Sequence, residues 1–437
     1  MKRLLYILPF LTLFSCKDTV YSDYEDSPIK SVECRPMFMP LAASDGTLVT
    51  ITADTADNTY NFIKIDKNAK TTSQTIKLSW NMSDRNAPNQ GGEIPQHESQ
   101  SKQSTTTQNT TVVDISEGQF RKNSNDEFFL DFYSTNDFGR EYYAVVKFDK
   151  DCNIIFQHDS TVNAMGGGMG SGQNQTVNKL PIGGTPLNNG GYAMILQTPT
   201  MGMMQNSSYD LSLRYINSGG EIEKTSTLSF SENISIISVN SVDNNVVIFY
   251  KNSDETSFVK VFTIDGTEVN SIEIPTTFSL LNFLTWYKYG YISGYNSETK
   301  KFIIAQINSN GEFEYQKDVD SVAVFVNITE VDNQLCLTGF NQPSNTTLSS
   351  IEAYMNYISD LNGIIVMGNL EEKTYNTTMA DYGCGVIVYA VFNDSDGYYT
   401  VFLTRVTPLD LFSQKNTTYG GTIYIYKTND IKNLQIN

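Results

Sequence analysis

The chain is poor in the residues from which most catalytic and metal sites are built. Its 437 residues include two histidines (His97, His158), two tryptophans (Trp80, Trp286) and five cysteines (Cys16, Cys34, Cys152, Cys336, Cys384). His97 lies in a polar stretch, so a Ser-His-Asp or Cys-His arrangement would have to use His158, and no nucleophile elbow accompanies it. No C-x-x-C occurs, which leaves zinc and redox motifs unsupported. Cys336 sits in the run Leu335-Cys336-Leu337 and reads as a small buried hydrophobe. Basic residues are scarce: 30 Lys and Arg stand against 48 Asp and Glu, a net charge of −18. Phosphate recognition needs a basic patch, so nucleic acid is not an expected partner. Beyond the first fifteen residues no apolar run approaches the ~20 residues of a membrane-spanning helix.

What is present is strand-forming. Hydrophobic residues make up 40% of the chain, enough for a sizeable core. The 26 Tyr and 24 Phe favour strands, and long segments of 3.6-residue period are missing.

One local pattern returns along the chain: an alternating apolar run, a turn rich in Asp, Asn, Ser and Gly, then a second alternating run. The turns are anchored near Asp66, Asp149, Asn217, Asp265, Asn308, Ser359 and Thr407. Asp and Asn satisfy their own backbone there, and Gly takes the positive φ that tight turns need. Another apolar strand precedes each hairpin, such as Phe128–Phe132, Tyr192–Leu196, Val246–Tyr250 and Val386–Tyr389. Strand, loop, strand, tight turn, strand, with a variable fourth, is one propeller blade. The expected fold is therefore an all-β propeller of seven blades, with six or eight as alternatives and a β-sandwich pair or a two-domain protein as the structural competitor. Thr422–Tyr426 follows the last hairpin and is expected to complete blade one and close the ring.

Two insertions interrupt the repeat. Residues 84–111 are rich in Gln, Ser, Thr and Asn and read as a disordered loop. Residues 164–178 carry Met165 and Met169 among glycines, and Met201, Met203 and Met204 follow nearby. These five thioethers, with His158, are the only candidate metal ligands, for a soft ion such as Cu(I); the competing reading is two mobile Gly/Met loops on one face that cover a partner or an apolar patch. Asp149-x-Asp151-x-Asn153 has the start of a calcium loop without its glycine or distant glutamate, and reads as a hairpin turn. No pair of carboxylates stands out for glycoside cleavage. The Asp-boxes of sialidase-like propellers and the regular tryptophans of quinoprotein blades are missing. No cofactor is expected.

The start of the chain carries an address. Met1-Lys2-Arg3, the apolar run Leu4–Phe14 and Ser15 form a secretory signal, and Cys16 follows directly. Leu13-Phe14-Ser15-Cys16 resembles a bacterial lipobox, which implies lipid on Cys16 and anchoring to a membrane. The acidic stretch through Glu25-Asp26 resembles the surface-export signal of Bacteroidota lipoproteins. The expected organisation is a signal peptide over 1–15, a lipidated Cys16 and acidic tether over 16–35, and a propeller over 36–437. With its blade pattern, the chain resembles uncharacterised propeller lipoproteins of Bacteroidota. That resemblance implies a lipid-anchored protein at the outer face of the outer membrane. The expected role is a non-catalytic binding or scaffold module, an accessory subunit of an uptake or secretion complex or the holder of a glycan or peptide ligand. A glycan-active hydrolase or lyase is the alternative.

Overall fold

The computed structural model describes residues 30–54, 59–78, 113–116, 118–135, 141–161, 180–197, 211–230, 234–274, 278–319, 323–341, 362–369, 374–378, 385–405 and 421–431. They form seven four-stranded antiparallel sheets. Blade one is β2 (Leu41–Ala42), β3 (Leu48–Asp54), β4 (Thr59–Ile65) and β5 (Thr71–Ile76). Blade two is β6 (Gln119–Lys122), β7 (Phe128–Thr135), β8 (Glu141–Phe148) and β9 (Ile154–Thr161). Blade three is β10 (Leu180–Pro186), β11 (Tyr192–Gln197), β12 (Leu211–Ile216) and β13 (Ile222–Leu228). Blade four is β14 (Ile234–Val242), β15 (Asn245–Asn252), β16 (Ser257–Phe262) and β17 (Glu268–Ile274). Blade five is β18 (Phe278–Trp286), β19 (Tyr289–Asn296), β20 (Lys301–Ile307) and β21 (Phe313–Val319). Blade six is β22 (Ala323–Val331), β23 (Gln334–Asn341), β24 (Asn362–Asn369) and β25 (Thr374–Thr378). Blade seven is β26 (Val386–Asn393), β27 (Tyr399–Arg405) and β28 (Thr422–Thr428), completed by β1 (Lys30–Glu33).

The seven-bladed propeller expected from the repeat is the fold observed, and the turn chemistry is the reason the blades repeat. At Asp66 the carboxylate accepts the amides of Asn68 and Lys70, both at 2.8 Å, while the Asp66 carbonyl accepts the amide of Ala69. Asp149, Asn217 and Asn308 make the same set of bonds. The fourth residue of each turn is left-handed: Ala69, Cys152, Gly220 and Gly311 have φ of 60°, 73°, 89° and 77°. Both carboxylate oxygens of Asp149 are committed to Asp151 and Asn153, so this segment is a hairpin turn and not a calcium loop.

Closure differs from the expectation. Thr422–Tyr426 lies in β28, which sits between β27 and β1 in blade seven and does not complete blade one. The last blade is read one strand out of phase: Val386–Tyr389 opens β26, the first strand, not the second. The outer strand instead comes from Lys30–Glu33, so the propeller begins at Lys30, ahead of the boundary at 36. In blade six the third strand is Asn362–Asn369, paired with Thr374–Thr378, so Asn362 and Gly363 belong to a strand and not to a turn; Ser359 lies outside the described residues.

The core lies between blades. Phe62 of blade one meets Phe120, Phe128 and Phe148 of blade two, with ring centroids 5.3 to 5.8 Å apart. Each such buried ring contributes about 1.5–3 kcal/mol by leaving water. Cys34, Cys152 and Cys336 are buried and form no disulfide, and burial pushes each thiol up to about 12. Cys384 and the stretch 84–111 lie outside the described residues.

Candidate functional site

The first strand of each blade pairs through one edge only and turns the other toward the axis. In blades three to seven this strand carries a bulge at one recurring place: Ile182 in β10, Ile237 in β14, Leu281 in β18, Val326 in β22 and Tyr389 in β26 are skipped in the ladder. A bulge bends the strand and re-aims the residues beside it. At Asn327, just past the β22 bulge, the side chain reaches two other blades. It accepts the Ala42 amide at 2.8 Å and donates to the carbonyls of Pro40 and Tyr389 at 2.8 and 2.9 Å. Blades six, seven and one are thereby tied together. Asn282, at the same place in β18, keeps a buried Oδ1 with no hydrogen-bond partner.

On the opposite side of the axis the first strands leave a space. A cavity of about 670 Å³ lies among β6, β10 and β14, with Phe283 of β18 on its wall. Its lining takes in Gln119 at the start of β6, Ile234 at the start of β14, Gln197 at the end of β11 and Leu211 at the start of β12. Strands alternate in direction, so these ends share one face, where blades connect to each other and second strands connect to third. The tight turns after Asp66, Asp149, Asn217 and Asn308 all lie on the other face. Gln197 and Leu211 flank residues 198–210, and Thr161 and Leu180 flank 162–179. The segments carrying Met201, Met203, Met204, Met165 and Met169 therefore join the ring on the cavity's own face, two of the four junctions being in its lining.

The cavity floor is an ion pair. Arg121 Nη2 donates to Asp131 Oδ1 at 2.9 Å and to the Tyr192 hydroxyl at 3.0 Å. Tyr143 donates to Asp131 Oδ2 at 2.7 Å, and its hydroxyl lies 2.8 Å from that of Tyr192. Register explains the meeting: Gln119 pairs with Asp131, and Tyr133 pairs with Tyr143, which puts Asp131, Arg121 and Tyr143 on the face of blade two that packs on Tyr192 of blade three. Arg121 keeps 23% of its side chain exposed to the cavity. Its Nη1 makes one long contact, 3.4 Å to the Val239 carbonyl, and its buried Nε has no partner. Burial opposes the guanidinium charge, but Asp131 outweighs it and holds Arg121 above its ordinary value. Burial, reinforced by Asp131, holds Tyr143 and Tyr192 well above the usual phenol range. The same two causes push Tyr133 up to about 12.

The walls are mixed. Ile237 presents 45% of its surface, and Ile182 and Phe283 stand beside it. Gly183, at φ 147°, has nothing within 4 Å of where a side chain would begin, which leaves bare backbone facing the space. Asp131 is the one carboxylate among the lining residues, and both its oxygens are engaged. Cleavage of a glycoside by two carboxyl groups 5–9.5 Å apart would therefore find no second group in this lining.

The lipid-attachment residue Cys16 and the five candidate methionine ligands lie outside the described residues. His158 lies in β9, partly buried, with its Nε2 3.3 Å from the Ser160 hydroxyl. Among the described residues no three His, Cys, Asp or Glu side chains gather to hold a metal. Arg121 and Asp131 escape notice in the sequence. The one signal is Asp131 itself, a charge inside the apolar run Phe128-Phe129-Leu130-Asp131-Phe132.

No protein-family model matches the chain, and no curated protein matches it either. Several solved structures are similar in part. A prolyl endopeptidase aligns at 9% identity and a TM-score of 0.37, over 82% of this chain and 47% of that one, so the chain spans about half its length. The β-propeller domain of the Trilobed protease from Pyrococcus furiosus aligns at 8% identity and a TM-score of 0.35, over 66% of this chain and 80% of that one. A variant of the Synechocystis apocarotenoid oxygenase aligns at 11% identity and a TM-score of 0.39, over 91% and 92% of the two chains.

Proposed function

We propose that this chain is a non-catalytic binding or scaffold module, anchored through lipid on Cys16 to the outer face of a bacterial outer membrane, of the kind made by Bacteroidota. It serves there as an accessory subunit of an uptake or secretion complex, and the axial cavity is its ligand seat. The observation that carries the reading is the space left on one side of the axis. The cavity has a size that suits small-ligand sites. Its one ion pair is already neutralised, and its single carboxylate is occupied on both oxygens. Such a lining can orient a ligand and offers no spare acid or base.

The test uses the full chain in its native membranes. A C-terminally tagged protein is extracted in mild detergent and its partners identified by mass spectrometry, beside Cys16→Ser and Ile237→Asp variants. The expected result is loss of Cys16→Ser from the outer-membrane fraction and loss of a stoichiometric partner or ligand with Ile237→Asp. A Cys16→Ser protein that stays membrane-bound overturns the anchor. A set of companions untouched by Ile237→Asp overturns the cavity as the seat. Clear turnover of a glycan panel by the purified protein replaces the binding reading with the enzymatic one.

A further inference from the structure

We infer that the axial cavity binds a short extended peptide with a neutral or cationic chain and an aliphatic side chain at its centre; this rests on the cavity being a ligand seat.

Three observations select this class. The first is the free edge of β14. This strand pairs with β15 alone, and Ile234 to Asn240 line the cavity, so its unpaired side offers backbone groups to the ligand, the Val239 carbonyl being shared with Arg121. Main-chain pairing along a free strand edge is a general mode of peptide capture, with pockets reading alternate side chains. The second is the alternation on that wall. Ile237 is skipped in the ladder between Ile236 and Ser238 and is exposed, and it lines an apolar slot of the cavity with Ile182 and Phe283, with Ser235 exposed two residues before it. A peptide side chain entering this slot leaves its flanking amides at the strand edge. The third is charge. Arg121 is compensated by Asp131, so a carboxylate or phosphate at Nη1 would leave a partly buried site with excess negative charge. A neutral peptide carbonyl accepts from Nη1 without adding charge. The chain's net charge of −18 steers in the same direction, repelling acidic peptides and attracting basic ones. Sugars fit less well, because Phe283 is the only aromatic side chain in the lining and stacking platforms are otherwise missing.

The experiment is a selection followed by calorimetry on the full chain. The probe is a library of acetylated, amidated hexapeptides with Lys at both ends and Val, Leu, Ile, Ala, Ser or Thr between. Enriched peptides are compared with copies N-methylated at alternate amides, with copies carrying Glu for Lys, and with laurate as an apolar ligand that lacks amides. The expected result is binding that weakens at least about tenfold on N-methylation and on Ile237→Asp. Ile155→Asp, on the outer strand of blade two, leaves it unchanged. Failure to enrich any peptide, or enrichment insensitive to Ile237→Asp, overturns the inference. Equal binding of N-methylated copies overturns the strand-edge mode. If laurate or a glycan binds in an Ile237→Asp-sensitive way while peptides do not, the peptide class falls and the cavity remains a ligand seat. If the native partners are also indifferent to Ile237→Asp, both readings fall.

Discussion

Lys67 of blade one and Asp394 of blade seven meet at 2.7 Å across the seam where the ring closes. Asp394 also takes Lys427 of β28 at 3.0 Å and accepts the Ser395 amide at 2.8 Å, starting the turn between β26 and β27. The two lysine hydrogen bonds and that amide hold its carboxyl well below the usual carboxylate range. A carboxyl depressed in the fold stabilises at pH values above its unfolded pKa, and the contribution disappears as pH falls through the folded value. Lys67 is about half exposed, so solvent screening keeps the effect small. Asp394→Asn is expected to lose about 1 kcal/mol at pH 7, and the gap from the parent chain narrows progressively as pH falls below about 4. Urea unfolding at pH 7 and pH 3 measures both; a gap that is equal at the two values refutes the assignment.

Asn327 is the tie among blades six, seven and one. Asn327→Leu leaves the Ala42 amide and the carbonyls of Pro40 and Tyr389 without that partner. An unsatisfied buried group costs about 1–3 kcal/mol, so a total of at least about 3 kcal/mol is expected. Chemical denaturation gives the value, and a loss under about 1 kcal/mol means the axis relaxes around the gap.

The phenols behind the cavity floor make an alkaline test. Tyr143 and Tyr192 are fully buried and held well above the phenol range. A phenol raised in the fold favours the folded state below its unfolded pKa of about 10, and that advantage is lost as pH rises toward the folded value. Tyrosinate absorbance of the native protein should lag that of the urea-unfolded chain above pH 10, with part of the signal appearing only on unfolding. Tyr143→Phe removes a donor from Asp131 and should cost about 1–3 kcal/mol.

Two glycines separate strain from crowding. Gly46 and Gly311 have φ of 81° and 77°, and a Cβ at Gly46 meets nothing within 4 Å while one at Gly311 lies 2.6 Å from Val261 Cγ2. Gly46→Ala should show only the left-handed penalty of about 1–2 kcal/mol. Gly311→Ala should exceed it, because Val261 is buried in the interface and must move. Equal losses in thermal unfolding would show that the blade interface yields to the extra methyl.

How far the sequence discloses this molecule depends on the range of each interaction. Asp66, Asp149, Asn217 and Asn308 bond to residues two and four positions on, so their hairpins are legible in a short window. Blade seven is misread because its fourth strand, Lys30–Glu33, comes from the other end of the chain and has one apolar residue, Val32. Blade six is misread because Ser359 to Gly363 has turn composition, while the apolar run after it is the third strand. The cavity floor is least legible of all. Arg121, Asp131 and Tyr143 are brought together by β6, β7 and β8 of blade two, and Tyr192 of β11 joins them only when blade three docks on blade two. No local pattern records that encounter.

The direction of β1 fixes the face on which the chain enters the ring. Lys30 pairs with Ile425, donates to the Asn68 carbonyl and sits beside the tight turns, while Glu33 pairs with Thr422 at the cavity's face. Whatever precedes Lys30 thus joins the disc on its back. The point at which the chain enters the described disc and the mouth of its cavity lie on opposite faces.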